Sequence, residues 1–388
     1  MTNMLRDFIS AHAGDDVYRL ALQRKLYPQL TDEDMAFALC QIEGRQKVRS
    51  KLPTFYANPD ILYPIRLSVE QCSSEATAKY KAEIIKSLIA NRNSFVDLTG
   101  GFGVDSFWIS HLFNYCTYVE QNADLCRIAE QNFQTLGADI EVHNATAADF
   151  LQSAYNVDLF FIDPARRNQA GRKVVRLEDC SPNIVGLWHE MQARSAWQMV
   201  KLSPMIDVQA VVEVLHPVAV YIVAVEGECK EVLAVAASGQ NVQDVEIVAA
   251  NIGSAGGYDS FRFFLQQEYK ALVRYSAAVG RYVYEPNAAV MKSGAYKFVG
   301  EYYDLEKLAP DTHLYTSDQY KADFPGRIFE VMSRLENDDD RANVVVRNYP
   351  LSAVELQRKL KLKDGGDGYV IGARVGTKPT ILYCRRLK

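Results

Sequence analysis

Between residues 94 and 237 the sequence alternates short apolar runs with amphipathic segments. Two strands near the end of this region, 218–225 and 232–237, are joined by a tight turn and are predicted to be antiparallel. Alternation of strands and helices is typical of a doubly wound parallel sheet, in which ligands bind beyond the carboxyl ends of the strands. The other strands, separated by helices or helical turns, are predicted at 94–98, 116–119, 140–142, 157–162 and 198–202.

The chain on either side of this region has a different pattern. In the first 66 residues apolar side chains recur at helical spacing, which predicts helices. A capping box at Ser68 predicts a further helix that reaches Asn91. A second helix is predicted at 287–303, followed by a strand at 343–347, a helix at 352–362 and a hairpin at 369–387. We predict a helical region at 1–69, an α/β domain at 70–280 and a C-terminal α+β module in two parts, 281–324 and 325–388.

Composition excludes several classes of protein. The 388 residues are 48% hydrophobic and 23% charged, which is ordinary for a soluble globular chain. The longest apolar run, Val218 to Val225, is far shorter than the roughly 20 residues of a membrane span. The first 30 residues lack the apolar core of a signal peptide, and the seven cysteines form no Cys-x-x-Cys. We expect a cytoplasmic protein without a membrane partner and without a metal site.

Charge is distributed unevenly along a chain whose net charge is −5. Residues 301–340 contain eleven acidic and four basic residues, whereas residues 341–388 contain eleven basic and three acidic ones. One interpretation is that the basic block faces a polyanion. The other is that the two blocks neutralise each other across one surface.

The first strand leads into a glycine-containing loop, Asp97-Leu-Thr-Gly-Gly101-Phe-Gly103-Val-Asp, and then into a helix. Glycines allow a ligand to approach the backbone closely, and a helix N-terminus offers free N–H groups. The dinucleotide fingerprint would need a third glycine where Ser106 stands, which disfavours NAD. Glu120 ends the second strand about twenty residues further on, where an acid can accept ribose hydroxyls.

The fourth and fifth strands end in further polar residues. Asp163-Pro164-Ala-Arg166-Arg167 follows the fourth strand, and its arginines could hold a phosphate or stack on a base. Alternatively, the proline stops the strand and the aspartate caps the turn. Lys201 lies in the apolar fifth strand, so it either pairs with an acid such as Asp163 or Glu226 or has a lowered pKa. A structural ion pair and an active-site role are both open for it.

Together these motifs resemble the class I S-adenosylmethionine-dependent methyltransferases. The glycine loop resembles that family's first motif, Asp-x-x-x-Gly-x-Gly, and Glu120 matches its ribose-binding acid. The Asp-Pro-Ala-Arg segment resembles the fourth motif, which reads Asp/Asn-Pro-Pro-aromatic in members that methylate amino groups of nucleic acids. The resemblance implies S-adenosylmethionine as cofactor, a cofactor site of Asp97, Thr99, Gly101, Gly103, Glu120, Thr146 and Asp149, and a catalytic set of Asp163, Pro164, Arg166 and Lys201.

The C-terminal residues resemble a second group of proteins. Asn348-Tyr-Pro-Leu and Gly372-Ala-Arg-Val-Gly-Thr-Lys-Pro-Thr are similar to the THUMP-like domain of bacterial proteins described as methyltransferases, and 281–322 is similar to the ferredoxin-like piece that accompanies it. THUMP domains proper bind tRNA, so the resemblance implies an RNA substrate, tRNA or rRNA, held by the basic C-terminal domain. The implied fold is a Rossmann-like methyltransferase sheet with an N-terminal helical region and a C-terminal ferredoxin-like/THUMP-like module.

Three departures from these patterns keep other functions open. Ala165 and Arg166 replace the pair that would stack on a target base, Thr146 stands where many members carry an acid that contacts adenine, and the THUMP-like piece is C-terminal rather than N-terminal. Asp-Pro-x-Arg also resembles uracil-C5 methyltransferases, which need a cysteine nucleophile, for which Cys180 and Cys229 are the candidates. The alternatives are a catalytically inactive RNA-binding protein with the cofactor fold and a small-molecule methyltransferase. The sequence specifies no oligomeric state.

Overall fold

The computed structural model describes residues 2–153, 156–165, 176–240, 242–254, 256–335 and 340–388. The chain forms two compact units that interleave along the sequence. Unit 1 comprises Met1–Pro217 and Leu233–Asn241, and unit 2 comprises Val218–Val232 and Val242–Lys388.

Unit 1 begins with six α-helices and continues with alternating strands and helices. The first six helices are α1 (Asn3–Ala11), α2 (Val17–Leu22), α3 (Asp32–Val48), α4 (Pro53–Ala57), α5 (Arg66–Gln71) and α6 (Glu75–Leu88). The alternating part consists of β1 (Ser94–Asp97), α7 (Val104–Ser110), β2 (Tyr115–Glu120), α8 (Ala123–Leu136), β3 (Glu141–Asn144), α9 (Ala147–Ser153), β4 (Val157–Ile162), α10 (Ile184–Arg194), β5 (Ser195–Leu202) and α11 (Val208–Leu215).

Unit 2 is richer in strands than unit 1. Its elements, with the second half of β7 assigned to unit 1, are β6 (Ala219–Val225), β7 (Glu228–Ala237), β8 (Glu246–Ile252), β9 (Tyr258–Phe264), α12 (Leu265–Lys270), β10 (Tyr282–Pro286), α13 (Ala288–Ser293), α14 (Phe298–Tyr302), β11 (Glu306–Ala309), β12 (Thr312–Ser317), β13 (Gly326–Met332), β14 (Asn343–Arg347), α15 (Ala353–Leu360), β15 (Gly368–Val375) and β16 (Lys378–Arg386).

The first sheet has the strand order β3-β2-β1-β4-β5-β7-β6-β8-β9. The pairs β1–β2, β1–β4, β2–β3 and β4–β5 are all parallel, which confirms the doubly wound sheet predicted from the sequence. The chain runs outward from β1 to β3 and then returns to β4, so the order reverses between β1 and β4. Such a reversal opens a crevice at the carboxyl ends of the two strands.

The hairpin of β6 and β7 is tighter than the sequence suggested. Only Glu226 and Gly227 separate the strands, with φ angles of 50° and 80°. Two consecutive residues with positive φ are typical of a type I′ turn, the usual connection of a two-residue β-hairpin.

Two predicted helices differ from the structure in their extent. The single helix predicted from Ser68 to Asn91 is divided into α5 and α6, and Ser74 is the N-cap of α6, its Oγ accepting the Thr77 N–H at 3.2 Å. The helix predicted at 287–303 is divided into α13 and α14 because Gly294, with a φ of 80°, ends α13. A left-handed glycine is a common helix terminator.

The N-terminal helices pack on the loop that follows β1. Phe55 of α4 lies edge-on to Phe102 and Phe107, with ring centroids 5.6 Å apart in both pairs. Tyr63, in the connector between α4 and α5, lies 6.1 Å from the ring of Phe102. Full burial of one such side chain contributes roughly 1.5–3 kcal/mol. The helical region therefore holds the loop in place.

The second sheet belongs to unit 2 and has the strand order β11-β12-β10-β13-β16-β15-β14. The predicted hairpin at 369–387 is present as β15 and β16, and β14 pairs with β15 in parallel. No helix in the described ranges is long and apolar enough to cross a membrane.

Candidate functional site

A cavity of about 310 Å³ in unit 1 lies at the carboxyl ends of β1, β2 and β4. It coincides with the position where the strand order reverses, as expected for a ligand site of a doubly wound sheet. The residues of the predicted cofactor set that line it are Asp97, Thr99, Gly101, Gly103, Glu120 and Thr146.

The loop after β1 brings its backbone close to the cavity because three positions in it have no side chain. A Cβ atom at Gly100 would lie 2.0 Å from the Tyr118 ring, and one at Gly103 would lie 2.8 Å from the Phe133 ring. At Gly101, where φ is 55°, a Cβ would meet only the Thr99 carbonyl, at 3.9 Å. Gly100 and Gly103 are therefore required by packing, whereas Gly101 leaves open space beside the backbone.

Glu120 is oriented by two backbone donors. Its Oε2 accepts the Gly101 N–H at 3.1 Å, and its Oε1 accepts the Asn122 N–H at 2.8 Å. A carboxylate has about four acceptor positions, so these two bonds leave capacity for two more donors. The geometry suits the capture of a pair of hydroxyl groups.

Thr146 and Asp149 form a local pair at the start of α9. The Thr146 hydroxyl donates to the Asp149 carboxylate at 2.7 Å, and the Asp149 N–H donates back to Thr146 Oγ1 at 3.1 Å. Only Thr146 lines the cavity. Asp149 is exposed to solvent and does not line the cavity, so its predicted place in the cofactor site stays a prediction.

Asp163 lines the cavity and is held from two sides. Its backbone N–H donates to Thr99 Oγ1 at 2.6 Å, and its carboxylate accepts a hydrogen bond from the Lys201 ammonium. Lys201 is 1% exposed and lies behind the wall rather than in it. The sequence left open a structural ion pair and an active-site role for Lys201. In the structure Lys201 forms an ion pair with Asp163, which lines the cavity.

The other predicted catalytic residues have different outcomes. Pro164 lines the cavity, and the next residue, Ala165, donates its N–H to the Ser181 carbonyl at 2.6 Å. Arg166 and its neighbour Arg167 lie outside the described residues.

A buried charged group next to Lys201 was missed by the sequence analysis. Lys81 Nζ lies 3.1 Å from Asp105 Oδ1, Ser73 donates to Asp105 Oδ2 at 2.6 Å, and Lys201 Nζ lies 3.8 Å from the same oxygen. Burial opposes ionisation of Asp105, but Lys81 and Lys201 outweigh it and its pKa is lowered. The spacing in α6 could have indicated this burial, because Lys81 lies on the same face of the helix as the buried residues Ala78 and Ile85.

Asp97, at the end of β1, is almost completely buried. Its carboxylate accepts the Ser106 hydroxyl at 2.6 Å and the Thr99 N–H at 3.0 Å. Burial raises its pKa to about 7, although both hydrogen bonds favour the charged form. The protonation state of the first aspartate of the loop therefore changes near neutral pH.

This raised pKa predicts a pH dependence of stability. Between about pH 4 and pH 7 Asp97 binds a proton in the folded state but not in the unfolded chain, so its contribution is full at low pH and is lost as pH rises through 7. Asp97→Asn, which mimics the protonated form, should remove this pH dependence, which amounts to at most about 4 kcal/mol between pH 4 and pH 7. All three tryptophans lie in unit 1, so urea unfolding followed by tryptophan fluorescence at pH 5 to 8 measures it. Parallel profiles for the two proteins would contradict the assignment.

The cysteines proposed for a covalent route are poor nucleophiles. Neither Cys180 nor Cys229 lines the cavity. Burial raises the pKa of both thiols to about 11. Because the thiolate is the nucleophile, neither side chain is suited to attack on a base.

Comparison with known proteins extends the description to the whole chain. A family model described as a ferredoxin-like domain matches residues 282–325, and one described as THUMP domain-like matches residues 326–386. No curated protein matches the chain. Among solved structures, a protein of Porphyromonas gingivalis W83, provisionally described as a methyltransferase, is 29% identical and superposes with a TM-score of 0.86 over 99% of this chain and 98% of its own.

Other solved structures are similar over smaller parts. TrmK of M. capricolum, in complex with S-adenosyl-homocysteine, is 12% identical with a TM-score of 0.32 over 42% of this chain and 69% of its own. The tRNA (m1A58) methyltransferase TrmI of Aquifex aeolicus is 13% identical with a TM-score of 0.28 over 38% of this chain and 52% of its own.

The strand order of the first sheet, the crevice at its reversal and the two C-terminal domain matches agree with the combination that the sequence motifs predicted. The chain therefore combines a doubly wound α/β sheet, in a fold that it shares with a solved structure provisionally described as a methyltransferase, with a C-terminal ferredoxin-like domain and a THUMP-like domain.

Proposed function

We propose that this protein is an S-adenosylmethionine-dependent methyltransferase that acts on RNA. The observation that carries the proposal is the convergence, in one cavity, of the open glycine loop, the carboxylate of Glu120 and the carboxylate of Asp163. These three groups come from the ends of three neighbouring strands, β1, β2 and β4.

The residues present fit this cofactor. Gly101 leaves space beside the backbone where a ligand can approach, and Glu120 has acceptor positions left for two ribose hydroxyls. Leu125 and Ala147 supply apolar wall, and Thr146 supplies a hydroxyl. The cavity, about 310 Å³, is at the lower end of the range of small-molecule sites.

The cofactor supplies an electrophilic methyl group on a sulfonium, and the protein positions an acceptor for in-line attack. The acceptor atom must lie about 3–3.5 Å from the methyl carbon, with water excluded. Four carboxylates line the cavity, those of Asp97, Asp105, Glu120 and Asp163, and we assign to Asp163 the role of accepting a hydrogen from an acceptor N–H or O–H. Lys201 holds that carboxylate, and Thr99 Oγ1 fixes its backbone, so both act as positioning residues.

An RNA acceptor is supported by the C-terminal half of the chain. The match to a THUMP-like domain covers residues 326–386, which contain much of the basic block. A polyanionic substrate suits such a surface, because each phosphate that is neutralised releases counterions and adds affinity at low salt.

The experiment has two parts, one that measures binding of the cofactor and one that identifies the methyl acceptor. Calorimetric titration of the purified protein with S-adenosylmethionine should reveal binding that Gly101→Gln weakens by about tenfold or more, because the new side chain enters the cavity. Gly137→Gln is the matched control, since Gly137 also has positive φ, with open space around it, but does not line the cavity. Transfer of labelled methyl groups to total RNA, but not to a small-molecule fraction, would support the acceptor class.

Either part can contradict the proposal. If the wild type does not bind S-adenosylmethionine, the proposed cofactor is wrong. Equal losses of affinity in Gly101→Gln and Gly137→Gln would indicate backbone strain rather than a binding site. If the labelled methyl groups appear only in small molecules, the methyl acceptor is a metabolite and not RNA.

One observation favours a second function, an RNA-binding protein without methyl transfer. Ala165 and Arg166 stand in place of the Pro-aromatic pair that stacks on the target base in amino-methylating methyltransferases, and the Ala165 N–H donates to the Ser181 carbonyl. Cofactor binding without turnover on any RNA fraction would identify this case.

A further inference from the structure

A second cavity, of about 820 Å³, lies within unit 2. Its wall includes the turn between β6 and β7, the ends of β10 and β14, and parts of β12, β13 and β16. The volume is within the range of about 300–1,000 Å³ that is typical of small-molecule sites. None of its residues belongs to the proposed cofactor and methyl-transfer site in unit 1, although Arg347 and Arg386 belong to the basic block that is proposed to hold RNA.

Two arginines on one wall share a single buried acid. Glu285 is 6% exposed, and its Oε2 accepts from Arg327 Nε at 2.8 Å while its Oε1 accepts from Arg347 Nε at 2.7 Å. One carboxylate cannot neutralise two guanidinium groups, so the trio keeps one positive charge. The arginine side chains are 34% and 42% exposed, which leaves part of each fork open to solvent.

A third guanidinium lines the same cavity. Arg386 donates through Nε to a main-chain oxygen of Lys388 at 2.8 Å, and within the described part of the chain its terminal nitrogens have no acceptor. Three guanidinium groups with N–H donors to spare suit a tetrahedral oxyanion, since arginine binds phosphate through its planar fork.

The rest of the wall does not suit a bare anion. Asp259 and Asp311 line the cavity, and neither forms an ion pair with any residue of the described ranges. His313 also lines it, with its ring centroid 4.1 Å from that of Tyr296 and the two rings tilted by 31°, and burial lowers the pKa of His313. Free carboxylates repel an isolated anion but accept hydrogen bonds from hydroxyl and amino groups, so the wall selects a ligand that carries both kinds of group.

We propose that this cavity binds a nucleotide, with its phosphate on Arg327, Arg347 and Arg386 and with the hydroxyl and amino groups of its nucleoside directed to Asp259 and Asp311. The chemistry is the same for a free nucleotide and for a nucleotide within an RNA strand. The site lies wholly within unit 2, and its occupation does not depend on methyl transfer in unit 1.

The test measures binding to the full chain by calorimetry, with three probes: the four nucleoside monophosphates, a five-nucleotide RNA and inorganic phosphate. Arg386→Met should lower the affinity for a nucleoside monophosphate or the RNA by at least about tenfold, the usual loss for a hydrogen-bonded charge. Arg385→Met is the matched control, because Arg385 is the next residue of β16, pairs with Glu330 at 2.6 Å and does not line the cavity.

The probes also distinguish the source of the ligand. Monophosphates that bind as tightly as the RNA indicate a free nucleotide, and binding of the RNA alone indicates a unit of a strand. The proposal is overturned if neither probe binds, if Arg385→Met and Arg386→Met lose equal affinity, or if inorganic phosphate binds as tightly as the nucleotides.

Discussion

Replacing Asp163 with alanine is expected to lower methyl transfer by about 10²- to 10⁴-fold, the range for a group that accepts a proton in the transition state. Binding of S-adenosylmethionine should change little, because Glu120 and the glycine loop, which are proposed to hold the cofactor, are untouched. The loss should appear in kcat for labelled methyl transfer to RNA, with calorimetry giving the cofactor affinity of the same preparation.

Two further variants make this result specific. Asp163→Asn keeps the shape of the side chain and a hydrogen-bond acceptor for Lys201 but removes the charge, so turnover should stay low if the carboxylate is the proton acceptor. Asp139→Asn removes an exposed acid elsewhere in unit 1 and should leave turnover unchanged. Turnover within about tenfold of the wild type in Asp163→Ala would rule out the role.

Replacing Lys81 with methionine is expected to destabilise unit 1 by about 3–5 kcal/mol. Lys81 is fully buried and lies 3.1 Å from Asp105, so its removal leaves a buried carboxylate with only the more distant Lys201 as a counter-charge. Urea unfolding followed by tryptophan fluorescence reports on this unit. Lys79→Met is the control in the same helix, because Lys79 is 52% exposed and its pair with Glu75 contributes at most about 1 kcal/mol.

The pH dependence of this loss has a definite sign. The pKa of Asp105 is lowered in the folded protein, so its interaction with Lys81 stabilises above the pKa of the unfolded chain and is lost as pH falls. The difference between wild type and Lys81→Met should therefore shrink as the pH falls below about 4. The double variant Lys81→Met/Asp105→Leu should recover most of the loss, since no charge stays buried. A constant difference over this pH range would show that Lys81 contributes through packing alone.

The sheet was predictable from the sequence because its strands are apolar runs bounded by glycine, proline and polar residues. β4 was predicted at 157–162 and β14 at 343–347, and both have those limits in the structure. The limits of the helices were harder to predict, because apolar residues can keep a helical spacing on both sides of a break between two helices. Cys72 and Ser73 interrupt a pattern that otherwise reads as one helix. Ser68, the predicted N-cap, lies inside α5, and Ser74 is the N-cap of α6.

The cavity residues were predictable where a motif depends on backbone shape, as at Gly101 and Gly103. The supporting ion pairs were not, because they join residues distant in sequence. Lys81 and Asp105 come from α6 and α7, and Glu285 joins arginines that follow it by 42 and 62 positions. Charge counts could place a basic block at 341–388, but only the fold places Arg347 and Arg386 in one cavity.

The assignment of β7 to both units has a consequence for how the protein is made. The chain leaves unit 1 after Pro217, returns with Leu233 and leaves again after Asn241. During synthesis, unit 1 lacks its last segment until residue 241 has left the ribosome. By then β6, which belongs to unit 2, has already left it. No single cut separates the halves without removing a strand from one of them. The two units should therefore be expressed as one chain.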